Sequence, residues 1–354
     1  MRITAIRSYG KKMALKKPYT IAYNTFSDVH LAFLEIELAN GIVGIGSGSP
    51  AEDVVGESTA QTIENLQTDF VQQLIGKDIR TFQQLIFETH QHFAHFPGTI
   101  AAIDIALHDA FGKLLGISVA EFYGIKTNAL PTSVTIGIKN TADTIAEAKE
   151  YQQQGFRVLK VKTGLNVAED IERVLMLQEV FGNYFTIRVD ANQGYDLQQL
   201  KQFMNATINQ GIELIEQPVK VGNESVLFHL TEEERKLIAG DESLKDPAAA
   251  LYYAHQKYFG IYNIKLMKCG GIYGANQIAN IAQTANIDLF WGCNDESMIS
   301  ITAALHVAYS CSHTKYIDLD GSFDLAEDLV QGGFTLKDGF LYINNKPGFG
   351  FEKI

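Results

Sequence analysis

The chain has 354 residues, of which 46% are hydrophobic, and its formal net charge is -12 at pH 7. That length suffices for one large domain and a smaller one. The negative charge argues against binding to nucleic acids or anionic membranes, because both require clustered positive surface charge. The expected partners are therefore small molecules or other proteins.

Features that would direct the chain to a membrane or out of the cell are missing from the sequence. The N-terminal segment has basic residues but no continuous apolar core, and no stretch of about 18 apolar residues occurs. The cysteines, Cys269, Cys293 and Cys311, are odd in number and form no CxxC pair, which is typical of reduced thiols. A cytoplasmic location is expected.

Residues 1–128 are predicted to form an α+β domain. Alternating apolar residues at 2–10 and 29–46 predict an antiparallel meander, in which Asn40 and Gly41 supply a tight turn. Three helical patterns follow, and Gly116 fits the C-cap of the last one. These patterns lie at 57–77, 80–96 and 99–116.

Residues 129–320 change to short β-rich runs, each followed by an amphipathic helical stretch. Eight such runs predict a parallel α/β domain, and their even spacing favours a closed barrel over an open sheet. The span is short for such a barrel, so at least one connecting helix is expected to be reduced. The runs lie at 133–137, 157–164, 185–192, 212–218, 236–243, 262–271, 288–295 and 315–321.

The C-terminal segment, residues 321–354, contains a further β-pattern. Its run at 334–344 predicts a hairpin that turns around Asp338 and Gly339. This hairpin resembles the N-terminal meander more than the barrel runs, so we expect the segment to return to the first domain.

Carboxylates end three successive β-runs, at Asp190, Glu216 and Asp241. In a parallel barrel these ends open on one face, where the three groups can converge on a hard cation such as Mg²⁺, which prefers oxygen ligands. Any one of them could instead cap the helix that follows it. Three successive strand ends together favour the metal site.

Lysines lie on the strands to either side of these carboxylates. Lys160 and Lys162 alternate on the second run, and Lys265 lies on the sixth. A solvated strand is the alternative, but the apolar neighbours of Lys160 leave no wholly polar face for water. A buried lysine must pair or lose its proton, and a like charge two residues away lowers its pKa further. The pattern therefore favours Lys162 as a general base.

Five motifs in this order resemble the muconate lactonizing enzyme subgroup of the enolase superfamily. They are KVK at 160–162, VDAN at 189–192, IEQP at 215–218, GDES at 240–243 and NIK at 263–265. The resemblance covers nearly the whole chain, because 41–50 and 101–116 also match the capping domain of that family. It implies an α/β fold, with a modified TIM barrel of the (β/α)7β type and an α+β capping domain.

The resemblance also implies a cofactor and its ligands. Asp190, Glu216 and Asp241 would bind one Mg²⁺ per subunit, and the metal would stabilise an enediolate formed from the substrate carboxylate. Asn192 and Glu242 are expected to support these ligands from behind. A homo-oligomer is expected.

The same resemblance assigns roles to the lysines. Lys162 and Lys265 would face each other across the substrate α-carbon, so that one removes a proton and the other returns one to the opposite face. Lys162 would act on the R configuration and Lys265 on the S configuration. Lys160 would lower the pKa of Lys162 and contact the substrate carboxylate.

The DLD motif at 318–320 distinguishes reactions within the subgroup. Asp318 and Asp320 alternate on the eighth run and therefore share a face, and the resemblance implies that they hold the free α-amino group of a dipeptide. The dianionic substrates of a cycloisomerase or an o-succinylbenzoate synthase would be repelled. The predicted activity is dipeptide epimerisation, although one aspartate could merely cap the barrel end.

The preferred dipeptide depends on the pocket wall. Ala-Glu epimerases of the family carry an arginine in a capping-domain loop, and this sequence has Asn24 at the expected place. A small uncharged residue is therefore expected, which favours D-Ala-D-Ala or L-Ala-L-Ala. A role in cell-wall peptide metabolism is what the resemblance to the family implies. Lys16 and Lys17 keep Ala-Glu as an alternative. Further expected wall residues are Thr135, Cys293, Asn294 and Glu296.

Other functions remain open at this point. An N-acylamino acid racemase of the same subgroup is one alternative to a dipeptide epimerase. A Schiff-base aldolase would also place a lysine on a barrel strand, but it would leave the three carboxylates without a role. A non-catalytic binding protein could use the same fold, because fold alone does not give function.

Overall fold

A computed structural model of the chain describes the backbone of residues 1–21 and 24–354, and the side chains of residues 1–16 and 27–354. The chain begins with an antiparallel meander of three strands. Gly41, with a φ of 83°, turns the second strand into the third, as the Asn-Gly pair predicted. The strands are β1 (Ile3–Ile21), β2 (Asn24–Leu38) and β3 (Val43–Gly48).

Helices pack against this meander and complete the α+β domain. The longest, α5, lies against β3, where Gly44 and Gly46 allow the closest approach because a Cβ at either position would overlap the helix backbone. Gly116 ends α5 in the left-handed conformation, as predicted. The helices are α1 (Glu52–Val55), α2 (Thr59–Leu66), α3 (Asp69–Gln72), α4 (Phe82–His92), α5 (Pro97–Leu115) and α6 (Val119–Tyr123).

A short strand, β4 (Ala129–Pro131), leads into a sheet of eight parallel strands. The strands are buried along nearly their whole length, as expected for a parallel sheet covered by helices. A parallel bridge between Thr132 and Ile317 brings the last strand next to the first and nearly closes the barrel. The strands are β5 (Ser133–Ile136), β6 (Val158–Lys162), β7 (Thr186–Asp190), β8 (Ile212–Glu216), β9 (Ile238–Gly240), β10 (Ile261–Ile264), β11 (Asp288–Trp291) and β12 (Thr314–Ile317).

Seven helical connections join these strands, which gives the (β/α)7β arrangement. The expected reduced connection lies between β8 and β9, where a 3₁₀ turn and a four-residue helix replace a full helix. None of the helices in the described residues is long and apolar enough to span a membrane. The helices are α7 (Thr141–Gln153), α8 (Val167–Phe181), α9 (Leu197–Thr207), α10 (Glu232–Arg235), α11 (Pro247–Gln256), α12 (Leu266–Cys269), α13 (Gly271–Ala285) and α14 (Met298–Ser310).

The C-terminal segment contacts both parts of the molecule. The predicted hairpin forms around Asp338 and Gly339, but it pairs with β4 and not with the N-terminal meander. Contacts with the first domain include Phe349, whose backbone N–H donates to the buried carboxylate of Asp109 on α5, and Leu325, which forms an antiparallel bridge to Leu15 on β1. The predicted boundaries at 128 and 320 stay predictions. The strands are β13 (Val330–Gly332), β14 (Phe334–Lys337), β15 (Phe340–Ile343) and β16 (Phe351–Lys353).

Candidate active site

The carboxyl ends of the barrel strands bring the predicted charged residues to one end of the barrel. Lys162, Asp190 and Glu216 lie side by side, because they are register partners on β6, β7 and β8. Asp241 follows β9 directly, and Lys265 follows β10. The sequence motifs therefore converge at the face where the loops of parallel barrels gather.

Lys160 occupies the centre of this group. It is 3% exposed, and its Nζ atom lies 3.1 Å from Asp190 Oδ2, 2.9 Å from Glu216 Oε2 and 2.9 Å from Asp318 Oδ2. Burial acts to lower the pKa of Lys160, but the three carboxylates outweigh it and raise this pKa well above its ordinary value. The ammonium group therefore balances several buried negative charges at once. Its predicted effect on the pKa of Lys162 stays a prediction.

The two predicted bases approach the site from different strands. Lys162 donates to Asp190 Oδ2 over 2.7 Å and to Asn192 Oδ1 over 3.0 Å, and its side chain is 30% exposed. Lys265 donates to Asp241 Oδ2 over 2.8 Å and is less exposed. Burial acts to lower the pKa of Lys265, but the charge of Asp241 raises it overall.

The carboxylates differ in how well their charge is balanced. Burial acts to raise the pKa of Asp190, but Lys162 and Lys160 lower it to about 2. Burial and the charge of Asp190 raise the pKa of Glu216 to about 8. Glu216 Oε1 accepts a hydrogen bond of 2.7 Å from Asn263 Nδ2, and Oε2 lies 2.9 Å from Lys160 Nζ, an ammonium group that Glu216 shares with Asp190 and Asp318. Glu216 is thus a buried carboxyl group whose neighbouring ammonium group, that of Lys160, does not offset burial and the charge of Asp190.

These residues fit a divalent cation. Oxygen ligands suit Mg²⁺, and the pKa of Glu216 is raised to about 8 although Lys160 lies beside it, so a further cation would be stabilised here. Lysine ammonium groups lie between these carboxylates, and among the described residues no group of three His, Cys, Asp or Glu side chains is placed to hold a metal ion. Asp190, Glu216 and Asp241 are the residues that would hold the metal.

Asn192 and Glu242 lie behind these carboxylates. Asn192 adopts a φ of 40°, and its backbone N–H donates to Asp190 Oδ1 over 2.9 Å. Its side-chain amide links Lys162 to Glu242, because Oδ1 accepts from the lysine and Nδ2 donates to Glu242 Oε1 over 3.3 Å. Burial and the charges of Asp241 and Asp190 raise the pKa of Glu242. Both residues therefore contact the groups that we expect them to support.

The DLD motif lies at the end of β12, opposite β5 and β6. Asp318 accepts from Lys160 and from Ser133 Oγ, the latter over 2.6 Å. Asp320 Oδ2 accepts from the backbone N–H and the hydroxyl of Thr135, each over 2.9 Å. Burial and the charge of Asp318 raise the pKa of Asp320 to about 7. The two aspartates are close neighbours, and the less buried Asp320 lies nearer to the barrel mouth.

The loop after β11 joins the barrel to the capping domain. Cys293 Sγ donates to Asp318 O over 3.3 Å, and the backbone N–H of Asn294 donates to Glu296 Oε1 over 2.9 Å. Burial raises the pKa of Glu296 to about 7. Asn294 Nδ2 donates to Ser49 O over 2.9 Å, so the segment after β3 lies against this loop. The side chain of Asn24 lies outside the described residues.

Some polar residues of the site were missed from the sequence. Lys268 on α12 is buried, and its Nζ atom donates to Asp241 Oδ1, to Asp241 O and to Asn263 O. Asn263 lies on β10 and donates to Glu216. A signal for Asn263 existed, because it alternates with Lys265 on one strand and so faces the same side. Lys268 gave no such signal, since its helix follows the strand.

Two family models together match most of the chain. Residues 3–124 match the mandelate racemase/muconate lactonizing enzyme N-terminal domain, and residues 143–353 match the enolase C-terminal domain-like family. The second match alone covers more than half of the chain.

Relatives match the chain over its full length. It is 47% identical to an L-Lys-D/L-Arg epimerase of Desulforapulum autotrophicum, covering 100% of both chains. It is similar to the structure of a dipeptide epimerase from Methylococcus capsulatus complexed with Mg and L-Arg-D-Lys, at 44% identity, a TM-score of 0.97 and coverage of 99% of both chains. A dipeptide epimerase from Enterococcus faecalis complexed with Mg and L-Leu-L-Tyr matches at 33% identity and a TM-score of 0.93, covering 99% of this chain and 100% of that one.

Proposed function

The chain belongs to the mandelate racemase/muconate lactonizing enzyme family of the enolase superfamily, and we propose that it inverts the α-carbon of the C-terminal residue of a dipeptide. Its assignment as a Mg²⁺-dependent isomerase follows from the family and from full-length relatives that are epimerases. The proposed reaction is a proton transfer between two lysines and one carbon atom.

The observation that carries this proposal is the placement of Lys162 and Lys265. They extend from β6 and from the end of β10, and each donates to a different carboxylate of the same group, Asp190 or Asp241. Two general bases on opposite sides of a substrate can remove a proton from one face and return one to the other. This arrangement inverts a carbon centre without a covalent intermediate.

The carboxylates support the bases by holding the metal. Asp190, Glu216 and Asp241 would bind Mg²⁺, which supplies positive charge to the oxygen atoms of the deprotonated substrate. Lys162 and Lys265 would then move one proton each at Cα, while buried Lys160 lies beside Asp190 and Glu216 and offsets part of their negative charge. The segment after β3 contacts the β11 loop through Ser49, which places the capping domain beside this end of the barrel.

Asp318 and Asp320 are suited to the free α-amino group of a dipeptide. An ammonium group would bring a positive charge next to Asp320, whose pKa of about 7 reflects burial and the nearby charge of Asp318. N-acylated amino acids and dianionic substrates lack that ammonium group and would gain nothing from the pair. This favours a dipeptide over the substrates of N-acylamino acid racemases, o-succinylbenzoate synthases and cycloisomerases.

For the side chains of the dipeptide, we favour basic residues. The relative with 47% identity is an L-Lys-D/L-Arg epimerase, and the Methylococcus capsulatus structure holds L-Arg-D-Lys. Acidic residues lie where the capping domain meets the β11 loop: Glu52 and Asp53 are exposed on α1, and Asp295 O accepts from Ser49 Oγ over 2.7 Å. Carboxylates on these segments would favour a cationic side chain over the glutamate of Ala-Glu.

The alanine dipeptides form the second candidate. They were favoured because Asn24 replaces an expected arginine, and that substitution disfavours an acidic side chain without selecting a basic one. D-Ala-D-Ala and L-Ala-L-Ala therefore belong in the same experiment as the basic dipeptides.

The test is hydrogen exchange in D₂O. The protein is incubated with Mg²⁺ and a library of basic, alanine-containing, acidic and N-acylated compounds, and each mass is followed. The proposal expects one deuterium at Cα of the C-terminal residue, fastest in basic dipeptides, together with formation of the other epimer. Exchange only in N-acylated compounds would refute it, and so would the absence of exchange throughout the library. Fastest exchange in alanine dipeptides would refute only the preference for basic side chains.

A further inference from the structure

Gln217 lies between two predicted metal ligands, directly after Glu216, and it is fully buried. Its side-chain Oε1 accepts hydrogen bonds from the backbone N–H groups of Asp241 over 2.9 Å and of Ser243 over 3.2 Å. Its Nε2 donates to Val219 O over 3.0 Å and to Ser243 Oγ over 2.7 Å. All four hydrogen-bonding positions of the amide are therefore used, and two of them fix the backbone that carries Asp241.

The orientation of this amide follows from its partners. Backbone N–H groups can only donate, so the atom facing Asp241 and Ser243 must be the oxygen. The amide nitrogen is then held by Ser243, whose hydroxyl donates to Glu224 Oε1 over 2.6 Å. Glu224 is buried and also accepts from Tyr253. The amide is thus the last member of a buried series of hydrogen bonds that runs from Glu224 through Ser243 to Gln217.

The backbone of Gln217 adds a second observation. Its φ is 33°, a left-handed conformation that residues other than glycine rarely adopt. Such a conformation persists only where the surroundings impose it, and it clusters at functional sites. Here the peptide N–H donates to Ala239 O on β9, while the carbonyl accepts from Gln193 N after β7. The residue therefore connects the ends of three neighbouring strands.

We propose that Gln217 is a positioning residue that fixes the third metal carboxylate, Asp241, relative to the first two. Glu216 precedes Gln217 in the chain, and Asp190 lies on the strand adjacent to Glu216. Asp241 is held by the hydrogen bond from its backbone N–H to the Gln217 side-chain oxygen. The inference rests on the proposed metal site, and it assigns to the glutamine no contact with substrate. Residues that orient metal ligands in this way typically change metal affinity by roughly 10–100-fold when they are replaced.

The test measures metal binding directly, with Mn²⁺ as the probe. Free Mn²⁺ is followed by electron paramagnetic resonance during titration of the wild type, Gln217→Ala and Gln217→Gly, and stability is measured separately by urea unfolding. Both variants lose the amide, but glycine tolerates the left-handed backbone that alanine disfavours. We expect both to bind Mn²⁺ about 10–100-fold more weakly, while Gln217→Gly is the more stable of the two.

Thr207→Val is the matched control. Thr207 is buried on α9 and donates to Phe203 O over 2.8 Å, so its replacement also removes a buried hydrogen bond but away from the site. We expect reduced stability and unchanged Mn²⁺ affinity. The inference is overturned if the Gln217 variants keep wild-type affinity, if affinity recovers together with stability in Gln217→Gly, or if Thr207→Val weakens binding equally. A wild type that binds no Mn²⁺ would refute the proposed function itself.

Discussion

The Nζ atom of Lys160 lies 2.9 Å from Oδ2 of Asp318, although the two residues are separated by most of the barrel sequence and both are almost fully buried. Asp190 and Glu216 contact the same ammonium group. One lysine on β6 thus joins the last barrel strand to the carboxylates of β7 and β8. We therefore expect its positive charge to contribute to stability as well as to the proposed chemistry.

Lys160→Met should strongly destabilise the metal-free protein. Removal of one member of a buried ion pair leaves its partners without compensation and typically costs about 3–5 kcal/mol. Urea unfolding in EDTA measures the loss, and addition of Mg²⁺ should recover more stability in the variant than in the wild type. Equal stability of variant and wild type in EDTA would contradict the prediction.

Lys236→Met is the control for that substitution. Lys236 pairs with Glu233 over 2.7 Å on the surface, where both side chains are mostly exposed to solvent. Exposed pairs of this kind contribute about 0–1 kcal/mol, so the unfolding curve should hardly move.

Substitution of each base should separate the two directions of the reaction. Lys162→Ala is expected to abolish Cα deuterium exchange from the epimer with R configuration at the C-terminal residue and to leave part of the exchange from the S epimer. Lys265→Ala should do the reverse, because each lysine serves one face. Mass spectrometry of single-epimer substrates in D₂O gives the readout. Equal loss from both epimers in both variants, with folding and Mn²⁺ binding retained, would exclude the two-base account.

Glu216→Gln should make the melting temperature independent of Mg²⁺. The wild type should unfold at a higher temperature with Mg²⁺ than with EDTA, because a ligand that binds only the folded state stabilises it by mass action. The glutamine keeps the shape of the side chain but removes a buried carboxyl group whose pKa is about 8. The Mg²⁺-dependent shift should therefore disappear, and activity with it. A retained shift in melting temperature would place the metal elsewhere.

His306 should make the fold sensitive to acid. It is fully buried on α14, its Nδ1 accepts from Ala120 N, and burial lowers its pKa to about 3. The unfolded chain has a histidine pKa of about 6.5, so the unfolded state binds the extra proton first. Stability from this group is complete above pH 6.5 and is lost, by about 1.4 kcal/mol per pH unit, as the pH falls towards 3.

His306→Asn should flatten this dependence, because asparagine can accept from the same N–H but does not titrate. Urea unfolding at a series of pH values between 7 and 4 compares the two proteins, with the exposed His95→Asn as a control that should follow the wild type. Parallel curves for wild type and His306→Asn would contradict the prediction.

Local sequence patterns were sufficient to predict where the strands end and which charged residues lie at those ends. Asp190 and Glu216 are the last residues of β7 and β8, as the alternation of apolar residues and the following turns predicted. A reduced connecting helix was expected from length alone, and the structure has it between β8 and β9. The strand ends are set by residues that are close together in the sequence, so the hydrophobic periodicity and the turn residues are enough to predict them.

Other features depend on closure of the barrel and had no local signal. Lys160 meets Asp318 only because the sheet curves until β12 reaches β5, so neither residue indicates its partner. The sequence predicted the hairpin around Asp338. The residues of a hairpin do not determine which sheet edge it joins, so its pairing with β4 could not be predicted. Asn24 alone is consistent with more than one dipeptide, so the sequence did not determine the substrate.

The bond between Phe349 and Asp109 has a consequence for the order of assembly during synthesis. Asp109 lies on α5, and its other carboxylate oxygen accepts from Ile45 N over 2.9 Å within the first domain. A nascent chain that has just completed β12 already contains the whole barrel, yet Oδ1 of Asp109 still lacks its donor, because Phe349 has not been added. The domain that the ribosome makes first is therefore the one that reaches its final hydrogen bonding last.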